Sequence, residues 1–251
     1  MITVNSLTVK AKEKTILDDI SFSVNINSFC AVLGKNGSGK TTLLRSILSG
    51  TKNSFTSGEI FINGTDMNTL SKASLAKKVS YLPQQLPSPP VTVYELVSYG
   101  RSPYHGLNPS INEKDTRIIN NALEICQCGG FSERLVPSLS GGEKQKAFLA
   151  MNIAQDTDIM LLDEPTSDMD IGAQDEFLKI LKECTRKGKT VVAVLHDING
   201  AVKFADDILI LDKGKKVFFG SKKSALETNA IEKAFGIKKY SLPCGSDVFL
   251  A

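Results

Sequence analysis

The sequence lacks any long apolar run, so no stretch of it can form a membrane-spanning helix, which needs roughly 20 apolar residues. The N-terminal residues Met1 to Asn5 also lack the basic and apolar regions of a secretory signal peptide. We therefore expect the chain to be made and kept in the cytoplasm. Any role at a membrane would then require a partner.

A strong net charge is also missing. The chain has 30 basic and 27 acidic residues, a net charge of +3, and no cluster of basic residues interleaved with aromatic ones. Proteins that bind nucleic acid usually carry a basic face. We therefore expect no nucleic-acid partner.

Cysteine and histidine are scarce. The five cysteines are an odd number at scattered positions, and there are two histidines. This pattern favours reduced thiols in a cytosolic protein over a disulfide framework, and it does not favour a zinc site.

Short, continuous apolar runs predict an α/β core with buried parallel strands. They lie at 159–162, 191–195 and 208–211. A helix between the first two runs ends at Gly188. Its predicted apolar stripe is formed by Ile171, Phe177, Ile180, Leu181 and Cys184.

Alternating apolar and polar residues predict additional, antiparallel strands. The segments 2–9 and 20–26 are expected beside the strand 28–33. The segment 58–63 ends in Asn63 and Gly64, a hairpin signal. A further short strand is predicted at 79–82.

The segment 86–155 reads as loops and helices inserted into the core. Ser110 and Glu113 have the spacing of a capping box. Apolar residues at helical spacing follow at Ile118, Ile119, Ala122, Leu123 and Ile125. We assign no chemistry to residues 221–251.

A glycine-rich loop between a buried strand and a helix carries the main chemical signal. It has the P-loop pattern, in which backbone N–H groups and the helix N-terminus surround phosphate oxygens. Lys40 would reach the outer phosphates of a nucleoside triphosphate, and the Thr41 hydroxyl would bind Mg²⁺. The loop consists of Gly34, Lys35, Asn36, Gly37, Ser38, Gly39, Lys40, Thr41 and Thr42.

Four more polar residues follow predicted strands, at the sheet edge where open α/β sheets bind ligands. Asp163 is placed to hold Mg²⁺ through water, and Glu164 to orient or deprotonate an attacking water. His196 could donate a hydrogen bond to a γ-phosphate. The amide of Gln84 could bind Mg²⁺ or the water and report the γ-phosphate to the helical insertion.

A second anion-binding helix start is expected after Leu139. Ser140 can cap this helix with Glu143 at capping-box spacing, while Gly141 and Gly142 leave their amides open. A protein with one P-loop does not need a second anion site for its own nucleotide. The helix start makes sense if it serves the nucleotide of another subunit.

These motifs, in this order, resemble those of the ATP-binding cassette (ABC) family over almost the whole chain. The resemblance implies a P-loop NTPase (RecA-like) core with an antiparallel β sub-domain and an inserted α-helical sub-domain. The nucleotide-binding domain would span 1–220, followed by an extension at 221–251. The family also implies a head-to-tail homodimer that sandwiches ATP and Mg²⁺ between P-loop and signature, with Asp170 in the loop 165–170 at the dimer contact.

The segment 91–106 resembles that of importers for iron-siderophore, haem or cobalamin. The resemblance implies two copies of a polytopic membrane permease, an indirect substrate-binding protein, and a place on the cytoplasmic face of the membrane. The alternative is a soluble ABC ATPase that acts as an assembly factor, as in iron-sulfur cluster biogenesis. A chromosome or DNA-repair ATPase would need long heptad arms, and an exporter half usually has fused membrane spans.

Two departures from the family pattern matter. Ala11 stands where relatives place an aromatic residue that stacks on adenine, so we expect weak base preference. Lys144 and Lys146 follow the signature where the family often has arginine, and lysine lacks the planar fork for bidentate contacts.

Overall fold

A computed structural model describes residues 1–51, 56–105, 111–241 and 247–250 of the chain. The strands in these ranges are β1 Ile2–Ala11, β2 Lys14–Val24, β3 Phe29–Gly34, β4 Thr56–Ile62, β5 Thr65–Asp66, β6 Val79–Leu82, β7 Ile159–Asp163, β8 Thr190–Val194, β9 Asp207–Asp212, β10 Lys215–Ser221, β11 Lys238–Ser241 and β12 Asp247–Leu250. The α-helices are α1 Lys40–Ser49, α2 Lys72–Ala76, α3 Val93–Ser98, α4 Glu113–Ile125, α5 Gly141–Ala154, α6 Ile171–Arg186, α7 Ile198–Phe204, α8 Lys222–Glu227 and α9 Ala230–Phe235. None of these helices is long and apolar enough to cross a membrane.

The centre of the fold is a six-stranded sheet with the order β10-β9-β3-β8-β7-β6. Its strands are parallel, except that β10 runs antiparallel to β9 at one edge. Every residue of β3, β7 and β8 is buried. The short apolar runs therefore correctly predicted parallel strands that are covered on two faces.

The antiparallel strands do not lie beside β3 as the sequence suggested. They form a separate sheet with the order β2-β1-β4-β5, and its apolar face packs with α1 against the central sheet. The second predicted strand begins earlier, at Lys14, and ends at Val24. Ile26, expected to face inward, is 63% exposed because the chain turns at Asn27, which has φ 60°.

The predicted hairpin between β4 and β5 is confirmed. Asn63 and Gly64 have φ values of 49° and 77°. Two consecutive positive φ values are typical of the turn that matches the twist of antiparallel strands.

The helical insertion contains α3, α4 and α5, but the predicted cap of α4 was wrong in register. The helix begins at Glu113, where Asn112 accepts a hydrogen bond from the backbone N–H of Asp115 and the Asp115 carboxylate accepts one from that of Asn112. Ser110 lies outside the described residues. Asn and Asp cap helices as well as Ser and Glu do, so the sequence offered two overlapping capping patterns.

The predicted apolar stripe of α6 holds for most of its length. Phe177, Ile180, Leu181 and Cys184 are buried, whereas Ile171 is 87% exposed. Ile171 is the first helical residue, directly after the capping residue Asp170. Its side chain therefore lies beyond the turns that pack on the sheet.

The C-terminal residues pack against the core. Helices α8 and α9 contact β9 and β10. Strands β11 and β12 pair antiparallel, and we call this pair the C-terminal hairpin. The strand β12 is tied to α7 because Asn199 donates to the backbone oxygen of Phe249 and accepts from its N–H.

A buried ion pair fixes the start of the helical insertion. Arg101 and Asp115 are 4% and 2% exposed, and Nε of Arg101 lies 2.9 Å from Oδ1 of Asp115. Nη1 of Arg101 donates to the backbone oxygen of Ala154, and Nε2 of His105 lies 3.0 Å from Oδ2 of Asp115. Burial alone would raise the pKa of Asp115, but the hydrogen bonds from Arg101 and the Asn112 backbone and the nearby positive charges lower it overall.

We predict that Arg101→Leu destabilises the protein by about 3 kcal/mol at neutral pH, because Asp115 stays buried with its main partner removed. A lowered carboxyl pKa stabilises the fold above the unfolded-state pKa, and this contribution disappears as the pH falls through the folded-state pKa. The difference from wild type in urea unfolding should therefore shrink in acid. Arg117 forms an exposed ion pair with Glu113 on the same insertion. Arg117→Leu is therefore the control, and its free energy of unfolding should differ little from that of wild type.

Candidate functional site

The glycine-rich loop connects β3 to α1, and two of its glycines are required by close contacts. A Cβ at Gly34, which has φ 156°, would lie 2.4 Å from the backbone oxygen of Leu211. A Cβ at Gly39, with φ 100°, would lie 2.5 Å from the Leu17 side chain. A larger residue at either position would push the loop out of place, which explains the spacing of the motif.

Inside the loop, the Lys40 ammonium group is hydrogen-bonded to the backbone. Its Nζ donates to the backbone oxygens of Gly34 and Lys35, at 2.8 and 3.2 Å. Burial lowers the pKa of Lys40, while Glu164 and Asp163 oppose this shift. The hydroxyl of Ser38 is buried and has no hydrogen-bond partner among the described residues. A spare buried hydroxyl and an ammonium group in a glycine-rich loop at a helix N-terminus fit a polyphosphate.

Asp163 ends the buried strand β7 and is itself 0% exposed. The Thr41 hydroxyl donates to its Oδ1 at 3.0 Å, and the Tyr81 hydroxyl donates to its Oδ2 at 3.2 Å. Burial raises the pKa of Asp163, and these two hydrogen bonds act against the rise. A carboxylate beside a hydroxyl is an oxygen donor set of the kind that Mg²⁺ prefers, so the residues fit this ion.

Glu164 lies directly after β7 and is held on two sides. Its backbone adopts φ 50°, which turns the chain sharply away from the strand direction. Nε2 of Gln84 donates to its Oε2 at 2.5 Å, and Nε2 of His196 lies 2.7 Å from its Oε1. Sequence analysis placed these three residues at the ends of different strands, and the structure brings their side chains together.

One cavity of about 490 Å³ joins these groups. Sequence reasoning missed Lys14 and Ile16, which line it from β2, and Tyr81, which supports Asp163 beside it. Ala11 is exposed and is not among the lining residues. The cavity is lined by Lys14, Ile16, Asn36, Gly37, Gly39, Lys40, Thr41, Thr42, Gln84, Glu164 and His196.

The signature residues do not line this cavity. Ser140 caps α5 and forms the predicted capping box with Glu143. A Cβ at Gly142 would meet no atom within 4 Å outside its own helix backbone among the described residues, so there is room for another molecule to approach its Cα closely. Asp170, expected at the dimer contact, accepts a hydrogen bond from the N–H of Ala173 and caps α6.

The two lysines after the signature make contacts within their own chain. Nζ of Lys144 donates to the backbone oxygen of Leu86 at 3.0 Å, close to Gln84 in sequence. Nζ of Lys146 lies 3.1 Å from Oε2 of Glu176 on α6. These are single-point contacts, which an ammonium group can make without the fork of arginine.

The arrangement can perform one kind of chemistry in particular. A phosphate-binding loop, a hard-cation site and a carboxylate held beside one cavity are the parts that phosphoryl transfer to water requires. The signature residues 139–143 are not part of this set. A second copy of the chain could bring them to it.

Comparison with known proteins agrees with this chemistry. The ABC transporter family matches residues 17–167. The petrobactin import ATP-binding protein FpuC of Bacillus anthracis is 36% identical over 243 residues, which cover 95% of this chain and 88% of that protein. An inward-facing metal-chelate type ABC transporter aligns with a TM-score of 0.82 and 27% identity, covering 100% of this chain and 97% of its own.

A dimeric ATP-binding cassette bound to ADP and phosphate aligns with a TM-score of 0.76 and 27% identity, over 88% of this chain and 99% of its own. These comparisons confirm the resemblance inferred from the motifs. They also confirm the expected fold class, a P-loop NTPase core with an antiparallel sheet and a helical insertion. The chain belongs to the ABC transporter family.

Proposed function

We propose that this chain is the ATP-hydrolysing subunit of an importer that drives uptake of a metal chelate through a separate membrane permease. The observation that carries the ATPase part is the convergence of the P-loop, Glu164, Gln84 and His196 on one cavity, with Asp163 hydrogen-bonded to the Thr41 hydroxyl beside it. The similarity to FpuC, a petrobactin import ATP-binding protein, and to a metal-chelate type ABC transporter supports the importer part. The chain would then lie at the cytoplasmic face of the membrane as a peripheral subunit.

The residues in and beside the cavity have distinct roles. The loop residues 34–42 and Lys40 bind the phosphates, while Thr41 and Asp163 hold Mg²⁺, with Gln84 as a further oxygen donor. Bound Mg²⁺ supplies neutralisation of charge on the phosphate oxygens. Glu164 orients or deprotonates the attacking water, and His196 donates a hydrogen bond to the γ-phosphate. For this, His196 and Gln84 must exchange their present contacts with Glu164 for contacts with the nucleotide.

The signature supports a homodimer. Ser140, Gly141 and Gly142 lie outside the cavity of their own chain, and the space beside the Gly142 Cα is open among the described residues. A helix N-terminus with free amides is an anion site. In a head-to-tail homodimer it would bind the γ-phosphate held by the P-loop of the other copy, with Asp170 near the dimer contact.

Residues 91–105 of the segment 91–106 are described, and they support a transporter subunit over a soluble assembly factor. Tyr99 is 51% exposed, and Leu135, bridged to Thr92, is also 51% exposed. The segment packs closely on α5 at Gly100. A Cβ at this position would lie only 2.4 Å from the backbone oxygen of Met151. Aromatic residues are enriched at protein–protein interfaces, so an exposed tyrosine on this closely packed segment favours a protein contact.

Tyr104, near the end of the same segment, contacts the stretch of chain that precedes β7. The Tyr104 hydroxyl donates to the backbone oxygens of Gln155 and Asp156, at 3.0 and 3.3 Å. These residues follow α5 and precede β7, which ends at Asp163 and is followed by Glu164. A permease that docks on this segment, in two copies for two subunits, would therefore pull on the strand that carries the acid pair.

Affinity purification from gently solubilised membranes tests the partner. We expect a stoichiometric polytopic protein with wild type, and its substrate-binding protein would then identify the cargo. Tyr99→Asp should abolish this recovery, whereas Tyr240→Asp, equally exposed on the C-terminal hairpin, should not. Recovery with soluble partners only would favour the assembly factor and leave the ATPase chemistry in place.

We predict that Glu164→Gln binds ATP, accumulates a closed dimer, and loses about 100-fold or more in turnover, because a carboxylate that activates water is replaced by an amide. Size-exclusion chromatography with ATP and a phosphate-release assay measure these effects. Lys40→Ala should instead lose productive ATP binding. A Glu164→Gln protein that stays monomeric with ATP and turns over normally contradicts the role of Glu164.

We predict weak preference of the wild type for ATP over GTP, and about tenfold tighter ATP binding by Ala11→Tyr, since base stacking on an aromatic ring contributes about 1–3 kcal/mol. Equilibrium binding of a fluorescent ATP analogue measures the change. Lys10→Tyr adds the same ring at an exposed neighbouring position and serves as the control. Strong ATP selectivity in the wild type would show that another group recognises the base.

A further inference from the structure

Tyr81 lies beside the cavity, and its hydroxyl has no role in the motifs described above. It lies on β6, and the parallel register pairs it with Leu161 on β7. Asp163 is two residues further along β7, so its side chain lies on the same face as Leu161. The sheet register therefore places the Tyr81 ring next to the Asp163 carboxylate.

The two oxygens of Asp163 are held from opposite sides. Oδ1 accepts a hydrogen bond from Thr41, and Oδ2 accepts one from the Tyr81 hydroxyl at 3.2 Å. The carboxylate is 0% exposed, so the protein must supply these contacts. Arg45 of α1 lies beside the Tyr81 hydroxyl and near Asp163, which adds positive charge to the same corner.

The Thr41 contact alone does not fix the carboxylate. A hydroxyl has one hydrogen and two lone pairs, so donation to Asp163 leaves the Thr41 oxygen able to bind a cation. A carboxylate held at one oxygen can still rotate about its χ2 bond, a torsion with broad minima. The second hydrogen bond, from Tyr81, determines the plane in which the carboxylate faces the cation position.

We propose that Tyr81 is a positioning residue for the Mg²⁺ site, which acts by orienting Asp163 and does not itself contact nucleotide or metal. This inference rests on the proposed ATPase function. Hydrogen-bond partners of metal-binding carboxylates typically contribute a factor of 10 to 100 in metal affinity. A phenylalanine at this position would fill the same space but leave Oδ2 without its donor.

The test compares Tyr81→Phe with wild type in the full-length chain. The affinity for a fluorescent ATP analogue is measured in EDTA and in saturating Mn²⁺, and the ratio of the two dissociation constants reports the contribution of the metal. For Tyr81→Phe we expect an unchanged dissociation constant in EDTA and a dissociation constant in Mn²⁺ about tenfold larger than that of wild type. The ratio of the EDTA value to the Mn²⁺ value is then about tenfold smaller than in wild type. Tyr240→Phe makes the same chemical change on the C-terminal hairpin and should match wild type in every measurement.

A second readout uses hydrolysis. The Mg²⁺ concentration that gives half-maximal turnover should rise about tenfold in Tyr81→Phe, with kcat at saturating Mg²⁺ close to that of wild type. The two effects together distinguish orientation of the metal site from a general loss of structure, which would weaken binding in EDTA as well. Thermal unfolding of the two variants checks that each is folded.

Each outcome decides the inference. A ratio equal to that of wild type in a folded Tyr81→Phe protein overturns it, and so does an equal loss of affinity with and without metal. If the wild type itself binds no nucleotide, the proposed ATPase function fails, and the role of Tyr81 fails with it. Nucleotide binding by wild type with no effect of Tyr81→Phe would refute only the role of Tyr81.

Discussion

The parallel register of the central sheet is the constraint on which the site depends. Because β3, β6, β7 and β8 run in the same direction, their carboxyl ends meet at one edge. The loop after β3 supplies the phosphate cradle, and the residues after the other three strands supply Gln84, the acid pair and His196. A one-residue slip in any strand would turn its side chains to the opposite face and dismantle the site.

Most polar groups of the site satisfy one another in this structure, whereas the buried Ser38 hydroxyl has no partner among the described residues. Lys40 donates to its own loop, Asp163 accepts from Thr41 and Tyr81, and Glu164 is held by Gln84 and His196. Buried polar groups are costly unless they are hydrogen-bonded, so these contacts stabilise the site without a ligand. Nucleotide binding must therefore exchange internal contacts for contacts with phosphate. Such an exchange gives a physical basis for coupling ATP to movement of the loops at Gln84 and His196.

Sequence patterns predicted the elements better than their arrangement. The apolar runs identified β7, β8 and β9, and the glycine pattern identified the loop before α1. The inner face of β2 was misjudged at Ile26, and the cap of α4 was placed at Ser110 when Asn112 caps it. Both errors have a common cause, since alternation and capping residues are locally degenerate and the packing of neighbouring elements selects among them.

The sequence by itself determined the chemistry. The identity and spacing of the loop glycines, Lys40, Thr41, Asp163 and Glu164 are local properties, because each motif works within a few residues of backbone. Only the tertiary structure decided which groups meet. The pairing of the antiparallel strands into their own sheet, the contacts of Glu164 with Gln84 and His196, and the hydrogen bond from Tyr81 to Asp163 join residues far apart in the chain. Their proximity follows from strand order and register, which no local pattern encodes.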